Sequence, residues 1–306
     1  MLDSAPSPAN KIHGRFAPSP TGPLHFGSLV AAVGSYLHAR SQGGRWSVRL
    51  EDVDRPRCRD DIAQEMLRTL EAFGFTWDTE VLWQSRRDEA YAAALDRLRA
   101  LGRVFACACT RRELADSQLA ADGAAVYPGS CRQGLPAGRA PRASRLLLAE
   151  ESVGFVDAVQ GETTQHLPTE VGDFVLRRAD GLYAYQLAVV VDDAEQGITD
   201  VVRGADLLGS TPRQILLQRL LGYATPRYVH LPVATDASGE KLSKQTRALA
   251  VDAARPLPLL LSVLRFLGQA PPDSLAEASL DELWRWAIEN WREDRVPRCR
   301  SARVPG

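Results

Sequence analysis

The chain has very little lysine. Lys11, Lys241 and Lys244 are its only lysines, although lysine and arginine together number 37 of its 306 residues. Two of the three therefore lie within four residues of each other, in a chain that otherwise uses arginine for positive charge. A compact ammonium and a planar guanidinium bind anions differently, so the segment around Lys241 and Lys244 is a candidate functional site.

Long apolar runs are also absent from the sequence. No stretch approaches the ~18 residues of a membrane-spanning helix, and residues 1–11 hold Ser and Pro where a signal peptide has its apolar core. The five cysteines are an odd number and do not suggest a disulfide framework in a chain of this length. We therefore expect a cytoplasmic protein with reduced thiols and no membrane contact.

Neither sign of charge dominates, since 37 basic residues face 38 acidic ones. This balance excludes a uniformly basic coat for nucleic acid but leaves room for a local basic patch. The patch would lie on one loop, for which a solvated surface is the simpler interpretation; its arginines are Arg132, Arg139, Arg142 and Arg145.

The length fits two domains, or one large α/β domain with an insertion.

Hydrophobic periodicity predicts strands and helices that alternate from the start of the chain. The pattern gives a strand over 12–16, a helix over 26–37, a strand over 46–51 and a helix over 62–73. This order predicts a parallel sheet with right-handed crossovers. The later predictions are a helix over 91–101, a strand over 104–107, β-rich segments at 173–178 and 183–191, a helix over 211–221 capped by Thr211, a strand over 228–234, helices over 257–267 and 280–291, and a frayed tail over 292–306.

A first motif, PSPTGPLHFGS over residues 18–28, lies between the first predicted strand and the first predicted helix. Open parallel sheets bind nucleotides at that position. Glycines allow the backbone to approach a ligand, N–H groups at a helix start attract phosphate, and His25 can donate a hydrogen bond to a phosphoryl oxygen. Alone, this motif is more typical of turn chemistry than of catalysis.

A second motif, EKLSKQ over residues 240–245, follows the strand predicted over 228–234 and a flexible turn. A mobile Lys244 can neutralise the charge that builds on a triphosphate as the bond to its α-phosphorus is exchanged. Alone, this motif is more typical of a solvated loop. The order of both motifs along an α/β sheet makes a nucleotide site the stronger interpretation.

The two motifs together resemble those of the class I aminoacyl-tRNA synthetases. LHFGS at 24–28 is similar to the HIGH signature of that family, and KLSKQ at 241–245 is similar to its KMSKS signature. Three further segments are similar to the glutamyl branch: RFAPSPTGPLHFG at 15–27, LEDVDRPR at 50–57 and VVRGADLL at 201–208. Fewer than 60 residues follow Arg247, too few for a large anticodon-binding region, so the whole chain resembles the short glutamyl-queuosine tRNA(Asp) synthetases.

This resemblance implies an α/β fold. It consists of the Rossmann-like parallel-sheet nucleotide-binding core of class I synthetases, an inserted zinc-stapled subdomain and a short helical C-terminal part. The implied division is 11–105 for the first half of the core, 106–185 for the acceptor and zinc-binding insertion, 186–250 for the second half with the KLSK loop, and 251–306 for a helical segment without an anticodon-binding domain.

The resemblance also implies the reaction and its partners. L-glutamate attacks the α-phosphorus of ATP without any need for tRNA, and pyrophosphate leaves with Mg²⁺. The glutamyl group then passes to queuosine in the anticodon of tRNA(Asp). His25, the helix N-terminus and Lys244 would stabilise the charge of the first transition state, and a monomer is expected.

A glutamate pocket needs a carboxylate for the substrate ammonium and a guanidinium for its carboxylates. Glu51 is the predicted carboxylate, Arg15 and Arg203 are the predicted guanidiniums, and Tyr185 would close the pocket. The matching family stretch implies a lining of Phe16, Ala17, Pro18 and Ser19. The predicted ATP-binding residues are His25, Gly27, Ser28, Lys241, Ser243 and Lys244. The alternatives are a structural Glu51–Arg203 ion pair and a Tyr185 that belongs to the core.

Three cysteines lie close together in the predicted insertion: Cys107, Cys109 and Cys131. Zinc is bound tetrahedrally by N, O or S donors, so a fourth ligand is needed. The spacing alone favours a metal site and three buried thiols equally, and Asp116 or Asp122 would be the usual fourth ligand. The resemblance implies one structural Zn²⁺ with Tyr127 as that ligand.

Two other functions stay open at this point. A truncated glutamyl-tRNA synthetase would charge the tRNA 3′ end, but it would lack the region that selects a tRNA by its anticodon. A non-catalytic paralogue that senses a nucleotide or an amino acid would not need the lysine loop. A small-molecule adenylyltransferase shares the His- and Gly-containing first turn but does not explain VVRGAD or LEDVDR.

Overall fold

Strands and helices alternate in this computed structural model, which describes residues 11–115, 117–120, 123, 126–236, 239–240 and 250–304. The strands are β1 (His13–Phe16), β2 (Arg45–Leu50), β3 (Leu82–Trp83), β4 (Val104–Cys107), β5 (Ala143–Leu146), β6 (Ser152–Asp157), β7 (Gly161–His166), β8 (Val175–Arg177), β9 (Asp200–Gly204), β10 (Arg227–Leu231), β11 (Val233–Thr235) and β12 (Ser301–Arg303). The α-helices are α1 (Phe26–Arg40), α2 (Asp60–Ala72), α3 (Asp88–Ala100), α4 (Leu167–Glu170), α5 (Tyr185–Glu195), α6 (Thr211–Leu221), α7 (Pro256–Phe266) and α8 (Leu280–Asn290).

The predicted parallel sheet is confirmed. β1 pairs with β2 from His13 and Arg45 to Phe16 and Val48, and β2 pairs in parallel with β3. β9 and β10 form a further parallel pair. The backbone N–H of Thr199 donates to the His13 carbonyl at 3.0 Å, which sets β9 beside β1. β1 therefore lies at the centre, where a doubly wound sheet binds its ligand.

Helix α1 packs closely behind this centre. Its apolar side chains Leu29, Val33 and Leu37 are fully buried, as the helical periodicity predicted. Gly34 faces Leu231 on β10, and a Cβ at this position would overlap the leucine side chain. The absence of a side chain at Gly34 thus allows α1 to approach the sheet, with its N-terminus at the carboxyl ends of the strands.

An antiparallel part follows α3 in the chain. β5 pairs antiparallel with β4 and with β8, and β6 and β7 form an antiparallel hairpin. The hairpin contacts the parallel sheet, because the backbone N–H of Ala158 donates to the Tyr228 carbonyl at 3.0 Å. Strand pairing thus changes from parallel in β1–β3 to antiparallel in β4–β8.

The C-terminal helices cover the core as predicted. Ser279 and Glu282 form a capping box at the start of α8, and the Trp284 indole donates to the Phe73 carbonyl at 2.9 Å. The predicted frayed tail is wrong for Ser301–Arg303, because this segment is β12 and pairs in parallel with β11. No helix in the described part of the chain is long and apolar enough to cross a membrane.

Three other sequence predictions need correction. The segment 183–191 is not β-rich, because α5 begins at Tyr185 and buries Leu187 and the six residues after it. A helix buried all round loses the alternation that separates helix from strand. The strand predicted over 228–234 is two strands separated by Pro232, which lacks an N–H to donate. Ser210, and not Thr211, stands at the N-cap of α6.

Candidate functional site

A cavity of about 500 Å³ opens at the carboxyl ends of β1, β2 and β9. Parallel strands direct their ends to one edge, so residues distant in sequence meet there. All of the predicted glutamate and ATP residues that the structure describes line this cavity: Arg15, Phe16, Ala17, Pro18, Ser19, His25, Gly27, Ser28, Glu51, Tyr185 and Arg203. Lys241, Ser243 and Lys244 lie outside the described residues.

The N-terminus of α1 forms one wall of the cavity. His25 is the N-cap residue, and its Nδ1 accepts the backbone N–H of Ser28 at 3.3 Å. The neutral ring therefore carries its hydrogen on Nε2 and can donate from there. The first turn of α1 holds no acidic residue, so its positive dipole end is open to an anion. Turn chemistry and anion binding are thus compatible at His25.

The chain returns beside His25 after the lysine segment. Ala250 forms an antiparallel bridge with His25, and the backbone N–H of Val251 donates to the Leu24 carbonyl at 3.0 Å. This pairing fixes one end of the segment that contains the KLSK motif to the wall of the cavity.

A buried network of charges supports the opposite wall. Arg15 donates to Asp193 from Nε at 3.0 Å and from Nη2 at 3.3 Å, and Arg49 Nη1 donates to the same carboxylate at 2.7 Å. Arg49 Nη2 donates to Glu51 at 3.2 Å. Glu51 therefore forms its ion pair with Arg49. The alternative prediction of a structural Glu51–Arg203 ion pair is wrong.

The network separates the pKa values of its two carboxyl groups. Burial raises the pKa of Asp193, but Arg15 and Arg49 outweigh it and hold that pKa at about 2. For Glu51, burial outweighs Arg49 and Arg15 and raises the pKa above its ordinary value. Arg49 and Asp193 are not among the site residues predicted from the sequence. The signals were an arginine inside a buried strand and an acidic pair at the end of an apolar run.

Arg203 and Tyr185 meet at the far side of the cavity, where Arg203 Nη1 lies 3.5 Å from the Tyr185 hydroxyl. Burial, followed by the negative charge of Glu51, raises the pKa of Tyr185 to about 12, so the hydroxyl keeps its hydrogen. The other donors of Arg203 face the protein: Nε donates to His230 at 3.0 Å and Nη2 to Thr211 at 2.8 Å.

A second cavity of about 940 Å³ adjoins the first, and Ser19, Glu51 and Tyr185 line both. Five arginines lie along it: Arg57, Arg111, Arg142, Arg145 and Arg178. The solvated-loop interpretation is wrong for Arg145, which is buried and donates to the Asp173 carbonyl at 2.7 Å. Arg132 is ion-paired with the buried Asp173, whereas Arg142 is exposed.

The three cysteines form a cluster that can hold a metal ion. The Sγ atoms of Cys107, Cys109 and Cys131 lie within 4.8 Å of one another, and Cys109 and Cys131 are 3.7 Å apart. Tetrahedral zinc with Zn–S bonds of about 2.3 Å separates its sulfurs by about 3.8 Å, so the spacing fits. The Tyr127 hydroxyl lies 3.6 Å from Cys107 and 3.7 Å from Cys109. Asp116 and Asp122 lie outside the described residues.

Comparison with known proteins agrees with this architecture. The family described as class I tRNA synthetases (E and Q), catalytic domain, matches residues 11–257. A glutamyl-Q tRNA(Asp) synthetase of Dechloromonas aromatica is 63% identical over 287 residues, which cover 93% of this chain and 95% of that protein. A glutamyl-Q tRNA(Asp) synthetase of Pseudomonas aeruginosa is 53% identical over 94% of this chain and 95% of its own. The chain belongs to the class I tRNA synthetases for glutamate and glutamine and, within them, to the glutamyl-Q tRNA(Asp) synthetase family.

Solved structures of glutamate enzymes share the fold. A glutamate tRNA ligase of Elizabethkingia meningosepticum, crystallised in complex with its amino acid, superposes with a TM-score of 0.79 at 26% identity, covering 97% of this chain and 67% of that one. The glutamate-tRNA synthetase of Elizabethkingia anophelis gives a TM-score of 0.80 at 25% identity, covering 97% and 68%. The present chain thus spans about two thirds of the length of these two proteins.

Proposed function

We propose that this protein activates L-glutamate with ATP and transfers the glutamyl group to queuosine in the anticodon of tRNA(Asp). The observation that carries the proposal is the single cavity lined by Glu51, Arg15, Arg203 and the N-terminus of α1. It combines the carboxylate of Glu51, the guanidinium groups of Arg15 and Arg203, and a phosphate-binding helix end. The names of relatives at 53–63% identity support the same reaction.

Glutamate would bind across the cavity. Glu51 would receive the ammonium group, because its carboxylate is buried and lines the space. Arg203 would bind a carboxylate through the Nη1 that lies beside the Tyr185 hydroxyl, with Arg15 as the second cation. Phe16, Ala17, Pro18 and Ser19 would complete the pocket.

ATP would place its phosphates at the N-terminus of α1. An α-carboxylate oxygen of glutamate attacks the α-phosphorus, the bond from that phosphorus to the bridging oxygen breaks, and pyrophosphate leaves with Mg²⁺. His25, the N–H groups near Gly27 and Ser28, and the ammonium groups of Lys241 and Lys244 would stabilise the negative charge of this transition state. Ser243 would contribute to the same phosphate site.

The acceptor would reach the mixed anhydride through the second cavity. A hydroxyl group of queuosine attacks the activated carbonyl carbon, AMP leaves with the bonding electron pair, and the hydroxyl proton passes to solvent. The arginines of this cavity suit the phosphates of an RNA loop. We assign residues 106–185 to the acceptor-binding insertion, flanked by the core halves 11–105 and 186–250 and followed by the helical segment 251–306.

The cysteine cluster would stabilise that insertion with one structural zinc ion. Cys107, Cys109 and Cys131 supply three sulfur donors, and Tyr127 would supply the fourth. Because all four ligands belong to the protein, the site leaves no open position for catalysis. A tRNA substrate also implies a cytoplasmic location, and the proposal requires one copy of the chain.

The test is transfer of labelled glutamate, with ATP and Mg²⁺, to tRNA from cells that make queuosine and from cells that do not. We expect label only in the first pool. Removing the 3′-terminal adenosine from the same tRNA should leave the labelling intact, because queuosine lies in the anticodon. Equal labelling of both pools, with loss after trimming, would instead identify an enzyme that charges the 3′ end. Failure of glutamate-dependent ATP–pyrophosphate exchange would favour a non-catalytic paralogue.

A further inference from the structure

A buried series of hydrogen bonds runs from the β6–β7 hairpin to the glutamate pocket. Asp157, the last residue of β6, lies 2.6 Å from His230 Nδ1. His230 Nε2 in turn accepts from Arg203 Nε at 3.0 Å. The exposed fractions are 1% for Asp157, 0% for His230 and 5% for Arg203, so solvent does not compete for these bonds.

The donors in this series fix the tautomer of the histidine. Arg203 Nε can only donate, so His230 Nε2 must accept and carries no hydrogen. Burial, together with the positive charge of Arg203, lowers the pKa of His230 to about 4 although Asp157 opposes the shift. The ring is therefore neutral near pH 7, and its one hydrogen lies on Nδ1, which donates to Asp157.

The series also decides which face of Arg203 reaches the cavity. Nε is bound to His230 and Nη2 to the Thr211 hydroxyl at 2.8 Å. Nη1 remains beside the Tyr185 hydroxyl. A guanidinium held at two of its nitrogens cannot rotate about its long side chain, so little conformational entropy is lost when a carboxylate binds.

We propose that Asp157 and His230 are positioning residues that hold Arg203 for the carboxylate of glutamate. Asp157 selects the Nδ1–H tautomer, His230 presents an acceptor to Arg203, and Arg203 meets the substrate. The inference rests on the proposed glutamate-binding role of Arg203. It also links the hairpin of the insertion to the amino-acid pocket, through side chains 73 and 27 residues apart.

The first test is Asp157→Asn. Asp157 Oδ1 accepts the backbone N–H groups of Val159 and Gln160 at 3.0 and 2.9 Å, so the amide oxygen of the variant will occupy that position. Its NH₂ group then faces His230 Nδ1 and forces the ring hydrogen onto Nε2, against the donor of Arg203. We expect the KM for glutamate to rise about tenfold to hundredfold in ATP–pyrophosphate exchange, with the KM for ATP unchanged.

A pair of histidine variants separates positioning from packing. The amide oxygen of His230→Gln can reach the place of Nε2 and accept from Arg203, whereas the shorter His230→Asn cannot. We expect His230→Gln to have a near-normal KM for glutamate. His230→Asn should raise this KM by about as much as Asp157→Asn does. His38→Asn is the matched control, because His38 is also buried in two carboxylate contacts, to Asp200 and Glu293, but does not line the cavity.

A spectroscopic measurement checks the tautomer directly. Nitrogen-15 NMR of histidine-labelled protein should show an Nδ1–H ring that disappears in His230→Gln and changes to Nε2–H in Asp157→Asn. The inference is overturned if His230 of the wild type carries its ring hydrogen on Nε2. It is also overturned if the wild type has normal ATP–pyrophosphate exchange and both Asp157→Asn and His230→Asn keep the wild-type KM for glutamate. Wild-type protein that lacks glutamate-dependent exchange would instead overturn the proposed function.

Discussion

Arg15 donates two hydrogen bonds to Asp193, at 3.0 and 3.3 Å, beside the cavity that Arg15 lines. The same carboxylate accepts from Arg49, so one buried anion supports two buried cations. Without that anion, burying either charged guanidinium group would carry a large desolvation cost in free energy. Asp193 therefore connects the stability of the fold with the electrostatics of the cavity that we propose for glutamate.

Replacing Asp193 with Asn should destabilise the protein strongly. The variant keeps the size of the side chain but leaves Arg15 and Arg49 without their shared charge, and breaking a buried ion pair in this way costs about 3–5 kcal/mol. Urea unfolding at pH 7 measures the effect. Asp88→Asn is the control, because its ion pair with Arg55 is exposed on both sides, and it should change stability by less than about 1 kcal/mol.

The same comparison should depend on pH. The pKa of Asp193 is about 2 in the folded protein against an ordinary 3.8. A carboxyl group whose pKa is lower in the folded than in the unfolded protein stabilises the fold fully at pH values above its unfolded pKa. This stabilisation is lost as the pH falls through its folded pKa. The difference in the free energy of unfolding between wild type and Asp193→Asn should therefore be constant above about pH 5 and become smaller towards pH 2. A gap that stays constant over the whole range would contradict this role.

Glu51→Gln should weaken glutamate activation and alter its pH profile. Burial, opposed by Arg49 and Arg15, raises the pKa of Glu51 above its ordinary 4.5. Protonation therefore removes the charge that attracts the substrate ammonium at a higher pH than it would for a solvent-exposed glutamate. In ATP–pyrophosphate exchange, kcat/KM for glutamate should fall as the pH drops in the wild type. The variant should be about tenfold to hundredfold slower and lack that acidic decline. Parallel profiles would rule out Glu51 as the titrating group.

Lys244→Ala should lower kcat about 10²- to 10³-fold with little change in the KM for glutamate, because its proposed role is to stabilise the transition state. Lys11→Ala is a matched control, since Lys11 is an exposed lysine two residues before the start of β1. Steady-state exchange kinetics of both variants provide the measurement. Equal losses in substrate binding and in turnover would contradict a role confined to the transition state.

Metal analysis should find about one zinc ion per chain in protein purified without chelators. Cys131→Ser should lose most of that zinc, because it removes one of the three convergent sulfurs. Cys58→Ser should retain it, since Cys58 lies outside the cluster. Native protein without zinc under these conditions would exclude the metal site and leave three clustered thiols, of which Cys109 is only partly buried.

Arg142→Glu should reduce transfer to tRNA while leaving ATP–pyrophosphate exchange intact. Arg142 is exposed and lines the second cavity, so it is suited to a phosphate of the RNA. The dependence of tRNA affinity on salt should also become shallower by about one charge. Arg285→Glu on α8 is the control, because Arg285 is exposed but outside both cavities. Similar losses in the two variants would indicate only a general effect of charge.

The sequence predicted elements well where one face of an element is buried. The helical spacing of Met66 and Leu70 is local information, and α2 follows it by burying one face. The valines at 189–191 mark a helix that is buried all round, and there the preference of β-branched residues for strands points the wrong way. Only the packing of the surrounding elements decides that segment.

The site shows the same limit. The place of Arg15 and Glu51 in the cavity could be predicted, because both lie near the carboxyl end of a parallel strand and the family resemblance matches both. Their supports could not, because Asp193 lies 144 residues from Arg49 and Asp157 lies 73 from His230. Side-chain partners this far apart depend on how the β6–β7 hairpin and α5 pack against the parallel strands.

The pairing of β12 with β11 has a practical consequence for handling the protein. β12 ends at Arg303, near the carboxyl terminus, and β11 leads through Asp236 toward the lysine motif five residues later. Deleting residues 301–306 would remove β12 and expose the backbone edge of β11, and an exposed strand edge promotes self-association. Affinity tags and fusion partners should therefore be joined at the amino-terminal end, so that comparisons of specific activity are not distorted by a disturbed final strand.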